Sequence, residues 1–90
     1  MYWVYIIESE KYKRYYIGQT VDLEARLERH NKGRNLSTKA YVPWKLKWWK
    51  EFDTRSESVK METRIKSIKK RDRVEKFVLE NDFRGIAQSG

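Results

Sequence analysis

Two short runs of aromatic and β-branched residues near the start of the chain restrict its fold most strongly. The first run extends from Tyr2 to Glu8, and the second extends from Tyr15 to Gln19. The polar segment from Ser9 to Arg14 separates them, and its length suits the loop of a β-hairpin. We therefore expect two short antiparallel strands within the first twenty residues.

The following segment has the pattern of an amphipathic helix. Asp22 is a favourable N-cap, Gly33 is a favourable stop, and the helix is expected to extend to about Lys32. Three residues at positions i, i+4 and i+7 form one face of this helix: Leu23, Leu27 and His30. Arg26 precedes His30 by four residues, so their side chains should be neighbours on the helix surface.

A basic loop from Gly33 to Pro43 leads to a third predicted strand from Trp44 to Phe52. Strict alternation of side chains would give this strand two distinct faces. One face would carry Leu46, Trp48 and Phe52, and the other would carry Lys45, Lys47 and Trp49.

The last third of the chain predicts two helices. Thr54-Arg55-Ser56-Glu57 matches a capping box, and the helix after it has an apolar stripe of Met61, Ile65 and Ile68. A final helix near Asp72 to Glu80 carries Val74, Phe77 and Val78. The element order is ββαβαα, which predicts an α+β fold with a small three-stranded antiparallel sheet flanked by helices. At 90 residues, the chain should form a single domain over residues 1–90.

Composition excludes several classes of protein. The chain has no cysteine, so it has neither disulfides nor thiolate metal sites. The first apolar run is too short to span a membrane and lacks the features of a signal peptide. We therefore predict a soluble cytoplasmic protein with no membrane contact. A domain of this size buries only a modest core, so an active site should lie on an open surface.

The charge distribution favours a polyanionic partner. The formal net charge is +8, and residues 32–50 contain six basic residues and no acidic one. Residues 60–76 contain eight basic residues against three acidic ones. Such runs suit nucleic acid, because each neutralised phosphate releases counterions; the alternative is a solvated surface. We assign nucleic-acid binding to five members of these runs: Lys32, Arg34, Lys39, Lys66 and Lys69.

Five side chains are candidates for catalysis, and each also has a purely structural interpretation. Tyr5 and Tyr16 either pack in the sheet or orient and deprotonate a water molecule. Arg26 either pairs with Asp22 on the helix surface or grips a phosphate. His30 is either packed beside Leu27 or moves a proton near neutral pH. As the single histidine, it excludes a zinc site with several histidines in this chain.

The fifth candidate is the carboxylate of Glu62. It either forms an ordinary surface ion pair with Lys66, four residues later, or binds Mg²⁺. Magnesium often takes only one or two protein carboxylates and fills its other positions with water and phosphate oxygens. The sequence contains no glycine-rich phosphate loop and no serine nucleophile elbow.

The string Tyr16-Ile17-Gly18-Gln19-Thr20 resembles the core of the GIY-YIG nuclease superfamily. Asp22, Arg26 and His30 follow at the matching positions, and Trp3-Val4-Tyr5 stands where that superfamily has its first motif. The resemblance covers about residues 2–78 and is closest to a branch of small single-domain bacterial proteins. It implies a three-stranded antiparallel sheet flanked by helices, in agreement with the pattern above.

The resemblance also implies cleavage of DNA phosphodiester bonds with one divalent ion, Mg²⁺ or Mn²⁺. Glu62 would bind the metal, and Tyr5 and Tyr16 would flank the attacking water, with Tyr16 favoured as general base. Arg26 would stabilise the developing negative charge, and His30 would assist proton transfer or hold phosphate. We expect all five side chains to share one face in an open, concave, positively charged site.

Two positions depart from the pattern of the superfamily. Trp3 replaces a glycine of the first motif, and the late asparagine has no clear counterpart, with Asn81 as a candidate. The predicted function is a metal-dependent DNA endonuclease whose candidate substrates include branched or damaged DNA, with or without a protein partner. The alternatives are a nucleic-acid-binding module of the same fold that does not cut, and a protein-interaction domain using Trp44, Trp48 and Trp49.

Overall fold

The computed structural model of the protein describes residues 1–81. The strands are β1 (Tyr2–Ser9), β2 (Tyr15–Thr20) and β3 (Trp44–Phe52), and the helices are α1 (Leu23–Asn31), α2 (Arg55–Lys66) and α3 (Arg71–Glu80). The predicted order ββαβαα and the α+β class are confirmed. The prediction of a single domain over residues 1–90 includes residues 82–90, which lie outside the described residues.

The sheet has the strand order β2-β1-β3, and both pairings are antiparallel. Because β1 is central and covered on both faces, its residues Val4 to Ile7 are almost completely buried. The β1–β2 hairpin closes through a hydrogen bond from the Ser9 amide to the Arg14 carbonyl, 2.8 Å long. Among the described strands, β2 pairs only with β1, so it forms one edge of the sheet.

Each face of the sheet packs against its own helices. On the face that we call the α2 face, Val4, Ile6 and Trp48 pack with Ile65 of α2 and with residues of α3. On the opposite face, called the α1 face, Tyr5, Ile7 and Trp44 pack with residues of α1 and with Tyr41 and Val42. The two clusters share only the sheet, so β1 contributes alternate residues to each.

A β-bulge in β3 corrects the predicted faces of that strand. Trp48 pairs with Ile6, whereas Leu46 pairs with Ile7, so one extra residue of β3 lies between the two pairs. The bulge reverses the alternation. Leu46 therefore packs on the α1 face rather than beside Trp48, and Lys45 pairs with Glu8 on the α2 face. The prediction that grouped Leu46 with Trp48 was wrong.

The predicted helix ends are confirmed where a capping side chain specifies them. The Asp22 carboxylate accepts a hydrogen bond from the Ala25 amide at 3.1 Å, and the Thr54 hydroxyl accepts one from the Glu57 amide at 3.2 Å. The predicted basic loop also contains a short 3₁₀ helix, Lys39–Tyr41. Thr38 anchors this segment, because its carbonyl accepts a hydrogen bond from the buried Trp44 indole at 3.0 Å.

None of the helices within residues 1–81 combines the length and the apolar character that crossing a lipid bilayer requires.

Candidate active site

Gly18 permits a close approach of the Tyr5 ring to the backbone of β2. Tyr5 of β1 pairs directly with Gly18 of β2, and its ring extends across the glycine. A Cβ atom on residue 18 would lie 2.5 Å from the Tyr5 hydroxyl oxygen and 2.7 Å from Cζ. Only glycine leaves space for this contact, so the missing side chain allows the phenol to reach toward the β2 edge.

The Tyr5 hydroxyl begins a buried chain of hydrogen bonds. It lies 3.0 Å from His30 Nε2, and His30 Nδ1 lies 2.8 Å from the Thr38 hydroxyl. That hydroxyl in turn donates to the Asn35 carbonyl at 3.4 Å. One arrangement of protons satisfies all of these hydrogen bonds: the Tyr5 hydroxyl donates to His30 Nε2, and His30 Nδ1–H donates to the Thr38 hydroxyl. We therefore assign the Nδ1-protonated tautomer to His30.

His30 is fully buried, at 0% exposure, and this corrects two expectations. Its side chain, near the end of α1, is fully packed rather than partly packed. Both ring nitrogens are already hydrogen-bonded within the protein, so His30 is not placed to hold phosphate. Burial lowers the pKa of His30 below its usual value, and the positive charges of Arg26 and Arg29 lower it further. A neutral imidazole at neutral pH is suited to orient Tyr5.

Tyr16 lies on the same face as Tyr5. It pairs with Ile7, and its ring centroid lies 4.9 Å from that of His30 and 6.4 Å from that of Tyr5. Unlike Tyr5, it is only partly buried. The two tyrosines and the histidine therefore form one aromatic group, with Tyr16 on its more exposed side.

Two charged side chains act on the Tyr5 phenol from different elements. Burial is the main cause that raises the pKa of Tyr5 to about 12, and the neighbouring Tyr16 and the Glu62 carboxylate add to it. Arg26 of α1 opposes this rise through its charge and a side-chain hydrogen bond. Tyr5 is therefore a protonated phenol at neutral pH, lying within the electric field of one cation and one anion.

Glu62 of α2 is fixed by two partners. Its Oε1 accepts a hydrogen bond from Gln19 Nε2 at 2.8 Å, and its Oε2 lies 3.1 Å from Lys66 Nζ. The carbonyl oxygen of Gln19 accepts a hydrogen bond from the Ser58 hydroxyl at 2.9 Å. The predicted ion pair of Glu62 with Lys66 is thus present, and Gln19 and Ser58 add a link to β2.

The five candidates do not share one face of the sheet, and that expectation was wrong. Tyr5, Tyr16 and His30 lie on the α1 face, whereas Gln19 pairs with Val4 and turns its side chain to Glu62 on the α2 face. Because Gly18 and Gln19 are consecutive, the two groups come together across the β2 edge. An open depression of about 200 Å³ lies there, lined in part by Arg26 of α1, Arg55 of α2 and Gln19.

The residues at this edge suit a metal ion that needs one protein carboxylate. Within residues 1–81, no three acidic or histidine side chains cluster as a ligand set, so Glu62 would be the main protein ligand. Its side chain is 16% exposed, and each carboxylate oxygen keeps a lone pair after its present contact. This donor set fits Mg²⁺ or Mn²⁺, which complete their coordination with water and phosphate oxygens.

The five predicted nucleic-acid-binding residues fall into two exposed groups rather than one. Lys32, Arg34 and Lys39 lie at or after the end of α1, where Lys32 pairs with Glu28 at 3.0 Å. Lys66 and Lys69 instead line a groove between the β-hairpin and helices α2 and α3. The two groups lie on opposite sides of the sheet.

The remaining sequence candidates do not line the depression at the β2 edge. Trp44 and Trp48 are 4% and 1% exposed, so they belong to the core and do not form an interaction surface. Trp3 lines a shallow apolar cavity with Leu46 and Trp49. The Asn81 side-chain amide donates to the Phe77 carbonyl at 2.9 Å at the end of α3.

Three residues that hold the site together were not predicted from the sequence. Thr38 fixes His30, and Gln19 and Ser58 fix Glu62. The period of two in β2 contained one usable signal, because it turns Gln19 to the face opposite Tyr16 and Gly18. No local pattern marks Thr38 or Ser58, since their partners are distant in sequence.

Comparison with known proteins shows to which family the chain belongs. Residues 1–76 match the model of the GIY-YIG catalytic domain. A UPF0213 protein of Streptococcus pneumoniae serotype 4 is 35% identical over 85 residues, which are 93% of this chain and 84% of that protein. A UPF0213 protein of Halobacterium salinarum is 36% identical over 69 residues, which are 76% of this chain and 88% of that protein.

These relatives come from both bacteria and archaea, and their names state no activity. No solved structure matches the chain significantly. The match to the catalytic domain covers all five candidate residues, and its extent exceeds half of the chain. The chain therefore belongs to the GIY-YIG catalytic domain family, a family of nucleases.

Proposed function

We propose that this protein is a metal-dependent endonuclease that hydrolyses DNA phosphodiester bonds at the β2 edge. One observation carries the proposal: the Tyr5 hydroxyl is hydrogen-bonded by His30 and lies within the fields of both Arg26 and Glu62. A tyrosine that only packs in the core needs neither a positive nor a negative side chain near its hydroxyl. A phosphodiester substrate needs a cation for its own charge and a carboxylate for a metal ion.

The two tyrosines have different roles in the proposed reaction. Tyr5, whose pKa is raised to about 12, keeps its proton and orients water or phosphate through its oxygen. His30 holds the Tyr5 hydroxyl in place and does not touch substrate. Tyr16 is the partly exposed phenol beside it, and we assign its phenolate form, which has first lost its proton to solvent, as the group that accepts a proton from the attacking water.

Arg26 acts on the charge that develops as the bond to phosphorus forms. Arg26 lines the depression at the edge and already hydrogen-bonds Tyr5, and its remaining N–H donors would form two hydrogen bonds to a phosphate. Glu62 would hold the divalent ion, with Gln19 fixing one carboxylate oxygen. When bound, such an ion lowers the pKa of its water and polarises the phosphate. Lys66, which is exposed, would then release Glu62 and turn to the DNA backbone.

The positive charge supports DNA as the substrate, because +8 on 90 residues favours phosphate contacts that do not depend on base sequence. The two basic groups on opposite sides of the sheet would contact the backbone on both sides of the cut. We further propose that the protein acts in the cytoplasm and that branched or damaged DNA is among its substrates.

The test is incubation of the pure protein with supercoiled plasmid, single-stranded DNA and branched DNA. Cleavage is expected with Mg²⁺ or Mn²⁺ and not with a chelator. Tyr16→Phe, which removes one oxygen atom, should cut at least about 100-fold more slowly and so exclude a contaminating nuclease. Binding of DNA without cleavage by the parent protein under all these conditions would instead support the non-cutting module.

A further inference from the structure

We propose that Tyr12, Arg14 and Tyr41 form a stacking platform for an unpaired nucleobase of the DNA substrate. The inference rests on the proposed function and adds a preference for DNA with a single-stranded segment beside the cut. The platform is separate from the catalytic edge. It lies where the β1–β2 hairpin loop meets the segment between α1 and β3.

The platform is ordered before any ligand binds. The Arg14 guanidinium lies over the Tyr41 ring, 4.6 Å from its centroid, and Arg14 Nη1 donates to the Tyr41 hydroxyl at 2.9 Å. The Tyr12 ring meets the Tyr41 ring edge to face, with centroids 5.6 Å apart. Tyr41 thus holds the Arg14 guanidinium and the Tyr12 ring in place, which reduces the side-chain entropy lost when a base stacks on them.

The exposed groups are those that a base would contact. Tyr12 is 57% exposed and Arg14 is exposed, whereas Tyr41 is partly buried beneath them. Aromatic rings and guanidinium planes are the two side-chain surfaces on which unpaired bases stack. A paired base inside a duplex offers neither of its faces, so this platform would select bases outside a helix.

The surroundings are positively charged, as a single DNA strand requires. The hairpin loop adds Lys11 and Lys13 to Arg14, with Glu10 as its acidic residue, and residues 32–43 contain three basic residues and no acidic one. Aromatic side chains within a basic surface are typical of proteins that bind single strands.

The platform is also close to the catalytic edge. Arg14 directly precedes β2 and lies four residues before Gly18, which is about 13 Å along an extended strand. Tyr41 contacts Trp44, and Trp44 contacts Tyr16, with ring centroids 6.4 and 6.5 Å apart, so the platform lies on the α1 face with the two candidate tyrosines. A strand stacked on Arg14 would therefore reach the edge within a few nucleotides.

The test compares two single strands with the same number of phosphates. One is an oligothymidylate, and the other is made of abasic nucleotides. Binding is measured by fluorescence anisotropy with a chelator at fixed salt, so it does not depend on cleavage. The parent protein should bind the strand with bases about fivefold to 100-fold more tightly. Tyr12→Ala and Arg14→Lys should remove this difference, although Arg14→Lys keeps the charge.

Two control variants complete the design. Tyr12→Phe keeps the ring and should keep the difference, and Leu79→Ala removes an exposed apolar side chain of α3 and should also keep it. Equal binding of both strands by the parent, or a difference that survives in Tyr12→Ala and Arg14→Lys, would overturn the platform. If the protein cuts DNA but binds both strands equally, only the platform is refuted. If it binds the strand with bases more tightly but does not cut DNA, only the proposed nuclease activity is refuted.

Discussion

Replacement of Gly18 by alanine tests the close approach that brings Tyr5 to the edge of the sheet. The new Cβ atom would lie 2.5 Å from the Tyr5 hydroxyl oxygen and 2.7 Å from Cζ, whereas ordinary contacts begin at 3.4 Å. The ring would have to move by about 1 Å. This movement would strain the core and lengthen the buried hydrogen bond from Tyr5 to His30.

The cost follows from these two effects. Overpacking a core usually costs about 1–3 kcal/mol, and a buried hydrogen bond left without its partner costs about 1–3 kcal/mol more. We expect Gly18→Ala to lower the free energy of unfolding by about 2–6 kcal/mol, which corresponds to a fall in Tm of at least about 8 °C for a domain of this size. Urea denaturation followed by circular dichroism measures the change.

A double-mutant cycle isolates the cause. Tyr5→Leu removes the hydroxyl oxygen and the two ring carbons that the new Cβ would meet, so Gly18→Ala should cost less than about 1 kcal/mol in that background. Gly33 is a matched control, because its φ of +71° is a backbone conformation that is strained for alanine. A Cβ atom added at Gly33 would lie 3.6 Å from Lys39 Cβ, which is an ordinary contact. Gly33→Ala should cost the same with either residue at position 5. Equal costs of Gly18→Ala in both backgrounds would show that contact with the Tyr5 ring is not the cause of the destabilisation.

Three further predictions concern charge. Arg26→Ala should slow cleavage about 100-fold to 1,000-fold while changing DNA affinity by no more than about threefold, because its proposed role is on the transition state; a parallel loss of binding in anisotropy measurements would contradict this. The pKa of buried His30 is lowered, so the unfolded chain binds its proton first as pH falls. Stability should therefore be full above about pH 6.5 and fall below it by up to about 1.4 kcal/mol per pH unit. Urea denaturation at several pH values should show this slope in the parent and not in His30→Gln; the same slope in both proteins would exclude His30 as its source. The logarithm of DNA affinity should fall linearly with the logarithm of salt concentration, with a slope of about −0.7 to −0.9 per phosphate contact, and an affinity that barely changes with salt would argue against electrostatic binding.

Local patterns predicted the elements, because capping and hairpin signals act over a few residues. Asp22 and Thr54 cap their helices as their sequence positions indicate, and the hairpin closes between Ser9 and Arg14. The bulge in β3 was not predictable in the same way. It depends on how Leu46 pairs with Ile7, a contact between residues far apart in sequence.

The site was predicted as a set of residues, but its geometry was not. Placing His30 on the apolar stripe of α1 predicted that it faces the sheet, yet its full burial depends on Thr38 and Tyr5 from other elements. Glu62 was expected on the face of Arg26, whereas α2 packs on the opposite face and reaches the edge through Gln19. Helix periodicity says which residues face the sheet, and it does not say which side of the sheet they face.

The most direct test of the account is cleavage of plasmid DNA by Glu62→Gln, with Glu80→Gln as the control for the same loss of charge at an exposed position of α3. Cleavage in Mg²⁺ and DNA binding in chelator should be measured on the same preparations. We expect Glu62→Gln to bind DNA as the parent does and not to cut it, while Glu80→Gln cuts normally. Equal cutting by Glu62→Gln and the parent would contradict the assignment of Glu62 as the metal ligand and, with it, the proposed site at the β2 edge.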